Sequence, residues 1–337
     1  MTFLRLFTSR TKKIRNTKRE VIQESIASLE RIELGGLKQY ILIRGHNKNN
    51  PILLFLHGGP GSTEMPLAHA FQTNLEEYFT IVHWDQRGAG KSFRINIPKS
   101  SLTFEQYEKD TLELIIYLRE RFKQEKIILV GHSWGSALGI VLVHKYPEYL
   151  FSYVGIGQVV DMAEGERISY KFVLDTAKKQ ENKKAIKQLE KIKNKEIWDL
   201  SYTQVQRKWL TKFGGWHHNA TKSWILLKYC FNSPEYNLLD AIRFFVGALV
   251  SLSKMWKPLL KETSFMDRIK EVKIPVFFIA GRYDYNTPSE LVVKFYQQLK
   301  APQKELVWFE ESAHSPNYEE KDKFDKVMIE KILSIVK

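Results

Sequence analysis

Between about residues 31 and 160, short apolar runs alternate with stretches whose apolar residues recur at helical spacing. "LKQYILIRG" (37–45) and "PILLFLHGG" (51–59) predict two strands separated by the turn-like "HNKNN". "FTIVHWD" (79–85) predicts a third and "KIILVG" (126–131) a fourth. Around Leu53 and Ile128 successive residues are apolar, as in strands covered on both faces. "TFEQYEKDTLELIIYLRERF" (103–122) has helical periodicity and a start signal at Thr103. Strands alternating with helices imply an α/β protein, a mostly parallel sheet wrapped by helices.

The alternation stops near Val160. Residues 161–262 are helical in propensity and lysine-rich, and they hold Trp198, Trp209, Trp216, Trp224 and Trp256. These aromatics are expected to serve packing. The strand pattern then returns as "VFFIAG" (276–281) and "KELVWFE" (304–310), separated by a helix from about Pro288 to Leu299 and followed by a helix over about 319–336. The expected organisation is a basic leader (1–30), an α/β core (31–160 and 263–337) and a helical cap (161–262) over the strand ends. No internal repeat or low-complexity linker is visible.

Composition narrows the class. The chain has 337 residues, 43% hydrophobic and 13% aromatic, which describes a globular protein with a sizeable core. No run of about 18 apolar residues is present, so no membrane span is expected. The first residues lack the long apolar centre and small-residue cleavage site of a secretory signal. The single cysteine, Cys230, cannot close an intrachain disulfide, and a cytoplasmic location is expected.

The net charge of +14 is concentrated in two places. Residues 1–19 carry seven Lys/Arg and no acid, and residues 161–262 carry 19 basic against 11 acidic residues. Phe3, Leu4, Leu6 and Phe7 lie among the leader's arginines, so residues 1–19 are suited to peripheral contact with an anionic membrane, or to a solvated leader. Zinc-finger spacing and RNA-binding aromatic signatures are lacking, and no nucleic-acid partner is expected. The oligomeric state is left open.

The chemistry begins at "GHSWG" (131–135), which fits the nucleophile-elbow pattern G-x-S-x-G with a strand before it and a helix after it. Such a turn lifts Ser133 clear of the sheet. A serine hydroxyl needs a base to take its proton, and the base needs an orienting carboxylate. "FFIAGRYDYNTP" supplies Asp284 just beyond one later strand, and "LVWFEESAHSPNYE" supplies His314 beyond the last. Both lie at carboxyl ends of strands, where α/β sheets assemble their sites. His57 and the pair His217–His218 are competing histidines. The pair has no carboxylate or cysteine set at ligand spacing, so no metal site is expected. Two N–H donors for an oxyanion are expected from the backbone of Trp134 and from "HGGPG" (57–61), with Gly59 favoured.

These pieces together resemble the α/β-hydrolase fold, and specifically the proline iminopeptidase branch of serine peptidases. "HGGPG" (57–61), "DQRGAGKS" (85–92), "GHSWGS" (131–136), "GRYD" (281–284) and "SAHSPNYE" (312–319) occur in that family's order. The resemblance implies release of an N-terminal residue, often proline, through an acyl-enzyme without a cofactor. It also implies that cap glutamates hold the substrate's free amine, which makes Glu164, Glu166 and Glu235 the residues to consider. The peptidases usually carry glycine where this chain has His132, and the match fades in the cap. An esterase acting on a small hydrophobic acyl group, or a non-catalytic binding protein on the same scaffold, are the alternatives.

One motif points elsewhere. "RGAGKS" ends like a phosphate-binding loop, but the first glycine of that pattern is replaced by Asp85, whose charge would repel phosphate. Asp85 and Arg87 are instead expected to pair with each other and fix the turn behind the site.

Overall fold

The computed structural model describes residues 8–218 and 227–336. Eight strands form one sheet in the order β1-β2-β4-β3-β5-β6-β7-β8. They are β1 (Ile26–Leu34), β2 (Leu37–Gly45), β3 (Ile52–Leu56), β4 (Thr80–Asp85), β5 (Ile127–His132), β6 (Leu150–Ile156), β7 (Val276–Gly281) and β8 (Lys304–Phe309). The first three in spatial order are antiparallel neighbours, and the six from β4 to β8 run parallel. Alternate residues of the central strands enter different apolar clusters. Leu54, Leu56, Ile127 and Leu129 join one, and Leu53, Phe55, Ile128 and Val130 the other. Burial on both faces is what the unbroken apolar runs predicted.

Two strands escaped the pattern. β1 starts at Ile26, inside the stretch read as leader, and its "IASLERIEL" mixes charges into an edge strand that is mostly half-exposed. β6, "LFSYVGI", is almost wholly buried and follows the elbow helix after the short turn Pro147–Tyr149. The predicted final helix is two helices, Pro316–Glu319 and Lys321–Val327, continued by irregular helical turns to Ile335.

Helix α1 (Phe104–Phe122) is capped by Thr103, whose side chain accepts from Gln106 N. Helix α2 (Trp134–Lys145) leaves the elbow and is buried along most of its length. The cap comprises α3 (Met162–Lys179), α4 (Lys183–Ile192), α5 (Leu200–Lys212) and α6 (Leu238–Glu262). Helix α7 (Ser289–Gln298) follows β7. The chain leaves and re-enters the core at one point: Asp161 bridges Ser264, and Phe265 N donates to Val160 O at 2.8 Å. The cap has an apolar centre of its own around Val173, Leu189, Tyr202 and Trp209, while Met255 and Leu259 of α6 join the main core. Trp224 lies outside the described residues, as do Phe3, Leu4, Leu6 and Phe7. The described part of the leader packs on the core, with Ile14 buried and Arg44 donating to Lys12 O at 2.7 Å.

The expected Asp85–Arg87 pair does not form. Arg87 makes a bidentate pair with Asp110, both contacts at 2.9 Å, and donates to Gly35 O. Asp85 accepts from Thr63, Tyr236 and the backbone N–H of Lys91. β4 ends at Asp85, and the turn that follows sends the two side chains to different neighbours. Lys91 is buried against Asp240 of α6, so its ammonium is already paired, unlike that of a phosphate loop.

Both partners of the Arg87–Asp110 pair are almost fully buried. Arg87→Met would leave the Asp110 carboxylate without its cation, a loss of about 3–5 kcal/mol for a buried pair broken on one side. Urea unfolding should show a lower midpoint with an unchanged slope.

Candidate active site

Ser133 sits at φ 53°, ψ −120° between β5 and α2, a backbone conformation that a non-glycine residue adopts only under constraint. The constraint is steric. A Cβ on Gly135 would lie 2.0 Å from Leu56 O, so the start of α2 presses directly on the end of β3. Ser133 N donates to Ile156 O at 2.9 Å, tying the turn to β6 as well.

Asp284 and His314, 30 residues apart in sequence, meet beyond the ends of β7 and β8. His314 Nδ1 lies 3.0 Å from Asp284 Oδ2. The other oxygen, Oδ1, accepts from the backbone of Asn286 and Thr287 at 2.9 Å each, and Thr287 Oγ1 donates to Oδ2 at 2.8 Å. Asp284 is thereby held as an acceptor, which assigns the proton of the shared bond to Nδ1 of His314 and leaves Nε2 as a base. Burial lowers the pKa of His314, and the Asp284 carboxylate opposes that fall. The loop is fastened to the cap, because His314 N donates to Trp216 O at 3.1 Å.

Beside the elbow, His132 places Nδ1 2.5 Å from Glu64 Oε1 and Nε2 2.8 Å from the carbonyl oxygen of His314. Glu64 also accepts from Tyr318 OH at 2.8 Å and from Gly58 N at 3.3 Å. Sequence reading missed Glu64, Thr287 and Tyr318. The one visible signal was the unusual histidine at 132. Gly58 N is engaged, and the next residue, Gly59, lines the cavity at φ 117° together with Trp134.

Ser133 and His314 open onto one cavity of about 570 Å³ between core and cap. Its wall is largely apolar, with Leu67, Met162, Phe244, Leu249 and Leu252 prominent. The three cap glutamates are not brought to it. Glu164 is exposed and pairs with Arg167 at 2.8 Å. Glu166 is buried against Arg207, whose guanidinium lies 5.9 and 5.6 Å from the ring centres of Trp216 and Trp256. Glu235 is buried and accepts from Ser233 Oγ at 3.0 Å. Among the described residues, Glu64 is the one carboxylate in the cavity wall.

The competing histidines are occupied differently. His57 takes the N–H of Gln86 on Nε2 and faces Gly58 O with Nδ1, a neutral pattern, and burial pushes its pKa down to about 4. His217 lines the cavity, and burial likewise lowers it to about 4. His218 stacks on Tyr283 at 3.7 Å. Among the described residues no cluster of three or more His, Cys, Asp or Glu is arranged to hold a metal ion, and no helix is long and apolar enough to cross a membrane. Burial raises the Cys230 thiol to about 12, which keeps it protonated at neutral pH.

Residues 51–321 match the family described as the alpha/beta hydrolase fold. A probable aminopeptidase of Bacillus subtilis, YbaC, is 33% identical over 306 residues, covering 90% of this chain and 95% of that protein. A proline iminopeptidase of Saccharolobus solfataricus is 25% identical over 320 residues, 86% of each chain. The crystal structure of a Mycobacterium smegmatis proline iminopeptidase superposes with a TM-score of 0.65 over 91% of this chain and 98% of its own, at 17% identity.

The Asp284 carboxylate is what opposes the burial-driven loss of basicity at His314. Asp284→Asn should therefore move the His314 titration to lower pH. An NMR titration of the histidine ring protons, compared between the two proteins, reads that shift directly.

Proposed function

This chain belongs to the alpha/beta hydrolase fold family, and from that premise we propose that it is a serine hydrolase working through an acyl-enzyme, with release of the N-terminal residue of short peptides as its reaction. The observation that carries the reading is the Asp284–His314 bond opening onto the same cavity as Ser133 at its strained turn. Ser133 Oγ attacks the substrate carbonyl while His314 Nε2 takes its proton. The tetrahedral oxyanion is met by the N–H groups of Trp134 and Gly59. His314 then returns the proton to the departing amine, and a water molecule, deprotonated by the same nitrogen, releases the acyl group. Asp284 holds the ring and stabilises its charged form. The chemistry needs no cofactor.

The peptide substrate is supported by the relatives named as aminopeptidases. A second reading, an esterase acting on an apolar acyl group, has its own observation in favour. Glu164, Glu166 and Glu235 are occupied away from the cavity, and the wall around Ser133 is largely apolar. An amine-binding carboxylate is needed by the first reading and not by the second.

Ser133→Ala is expected to reduce turnover by at least about 10⁴-fold and to abolish covalent labelling by a fluorophosphonate probe. An unlabelled wild-type protein would point to binding without turnover. Proline-β-naphthylamide and other aminoacyl amides, assayed beside p-nitrophenyl esters, separate the two substrates. Turnover of esters with none of the amides would leave the esterase reading standing.

A further inference from the structure

His132 faces two acceptors. Its Nδ1 is 2.5 Å from Glu64 Oε1 and its Nε2 is 2.8 Å from the carbonyl oxygen of His314. A carbonyl has no proton to give, so Nε2 carries one. Nδ1 needs a second proton unless Glu64 supplies it. Glu64 already accepts from Tyr318 OH and Gly58 N–H, donors that favour its ionised form. With Glu64 ionised, a neutral imidazole would set a bare Nδ1 against the carboxylate, whereas a doubly protonated one satisfies both contacts.

We propose that His132 is held as an imidazolium that positions the proton carrier, gripping the His314 main chain through Nε2–H and setting a positive charge beside the His314 ring. Burial of His132 is the strongest single influence and opposes its charging, yet Glu64, the His314 carbonyl and Asp284 together leave its pKa above the ordinary value. Glu64 correspondingly titrates at about 2 despite its own burial. The two rings are 5.0 Å apart, centre to centre, so a charge on His132 disfavours a second proton on His314.

The other titratable groups around this ring come from every neighbouring element. Asp284 beyond β7 favours its charge, as Glu64 does, and Arg207 of α5 is a second positive charge that disfavours a proton on His314. His57 after β3 and His217 of the cap are repelled by it and are themselves held neutral by burial. Tyr318, with its ring 6.5 Å away, is kept protonated by burial and by Glu64. Where a glycine would leave the His314 loop to its own hydrogen bonds, this chain ties it to the elbow through a charged side chain adjacent to the nucleophile.

The pH part of this inference rests on the hydrolase reading, whereas the protonation state does not. The test uses the full chain with ¹⁵N-labelled histidine. Long-range ¹H–¹⁵N spectra at pH 8, assigned by difference from His132→Gln, should show both ring nitrogens of His132 protonated. In Glu64→Gln the amide can donate to Nδ1, so the ring becomes neutral and keeps its bond to the His314 carbonyl. The ratio of kcat/KM at pH 6 to that at pH 8 should then fall by about threefold or more, since His314 loses a repelling neighbour and protonates sooner. His132→Phe, which removes the grip, should lower kcat at both pH values with a smaller change in KM. Thermal unfolding of each variant separates a loss of fold from a loss of positioning. A neutral His132 at pH 8, or an unaltered pH ratio in a folded Glu64→Gln, overturns the inference. Failure of the hydrolase reading is distinct: Ser133→Ala would stay active while the spectrum of His132 was unaffected.

Discussion

Helix α2 meets the sheet at a distance that only glycine permits. With Leu56 O 2.0 Å from where a Gly135 Cβ would stand, the chain has no room to leave β5 gradually, and the turn must be made at Ser133 with φ positive. A strain of about 1–3 kcal/mol of this kind persists only where the surroundings over-determine it. Here they do, because α2 is buried along most of its length and Ser133 N is bonded to β6. The same contact brings Trp134 against Tyr107 and Phe104 of α1. The site is thus a consequence of how closely a helix packs on a strand.

The second layer of order is the wiring of cap to core. Residues 215–218 of the cap are bonded to both loops that carry the proposed catalytic side chains. Tyr285 N donates to Gly215 O, His314 N to Trp216 O, and His218 N to Glu319. Lower down, Asp240 of α6 holds Lys91, and Tyr236 donates to Asp85. A cap fixed in this way both encloses the cavity and orients the His314 loop, so changes in the cap are transmitted to the reacting groups through main-chain bonds rather than through loose contact.

The sequence disclosed those features that depend on neighbours along the chain. The central strands showed because burial on both faces demands uninterrupted apolar residues, and Ser133 showed because a tight turn demands glycines at fixed offsets. Asp284 and His314 were candidates by order and by position after strands, and their side chains meet. What stayed hidden depended on partners distant in sequence. Arg87 and Asp110 are 23 residues apart, and Glu166 and Arg207 are 41 apart, so nothing local announces that each charge is already matched. The cap glutamates were chosen for their charge, and that charge is neutralised or satisfied elsewhere. β1 was hidden by an edge strand's tolerance of charged residues.

The departure at position 132 follows the same logic. A histidine placed directly before the nucleophile would be a liability on its own, since burial strips it of solvent and leaves a ring nitrogen facing a carbonyl. It becomes tenable only with Glu64 and Tyr318, which come from the loop after β3 and from the short helix Pro316–Glu319. The three residues form one unit, and their cost is shared: Glu64 supplies the counter-charge, Tyr318 and Gly58 hold Glu64 ionised, and His132 returns the favour by gripping the His314 main chain. That unit also consumes the one carboxylate in the described cavity wall. A substrate amine entering this site would have to compete with an imidazolium already 2.5 Å from the one carboxylate that the described residues place in the cavity wall, which makes the electrostatics of this trio inseparable from the question of what the cavity accepts.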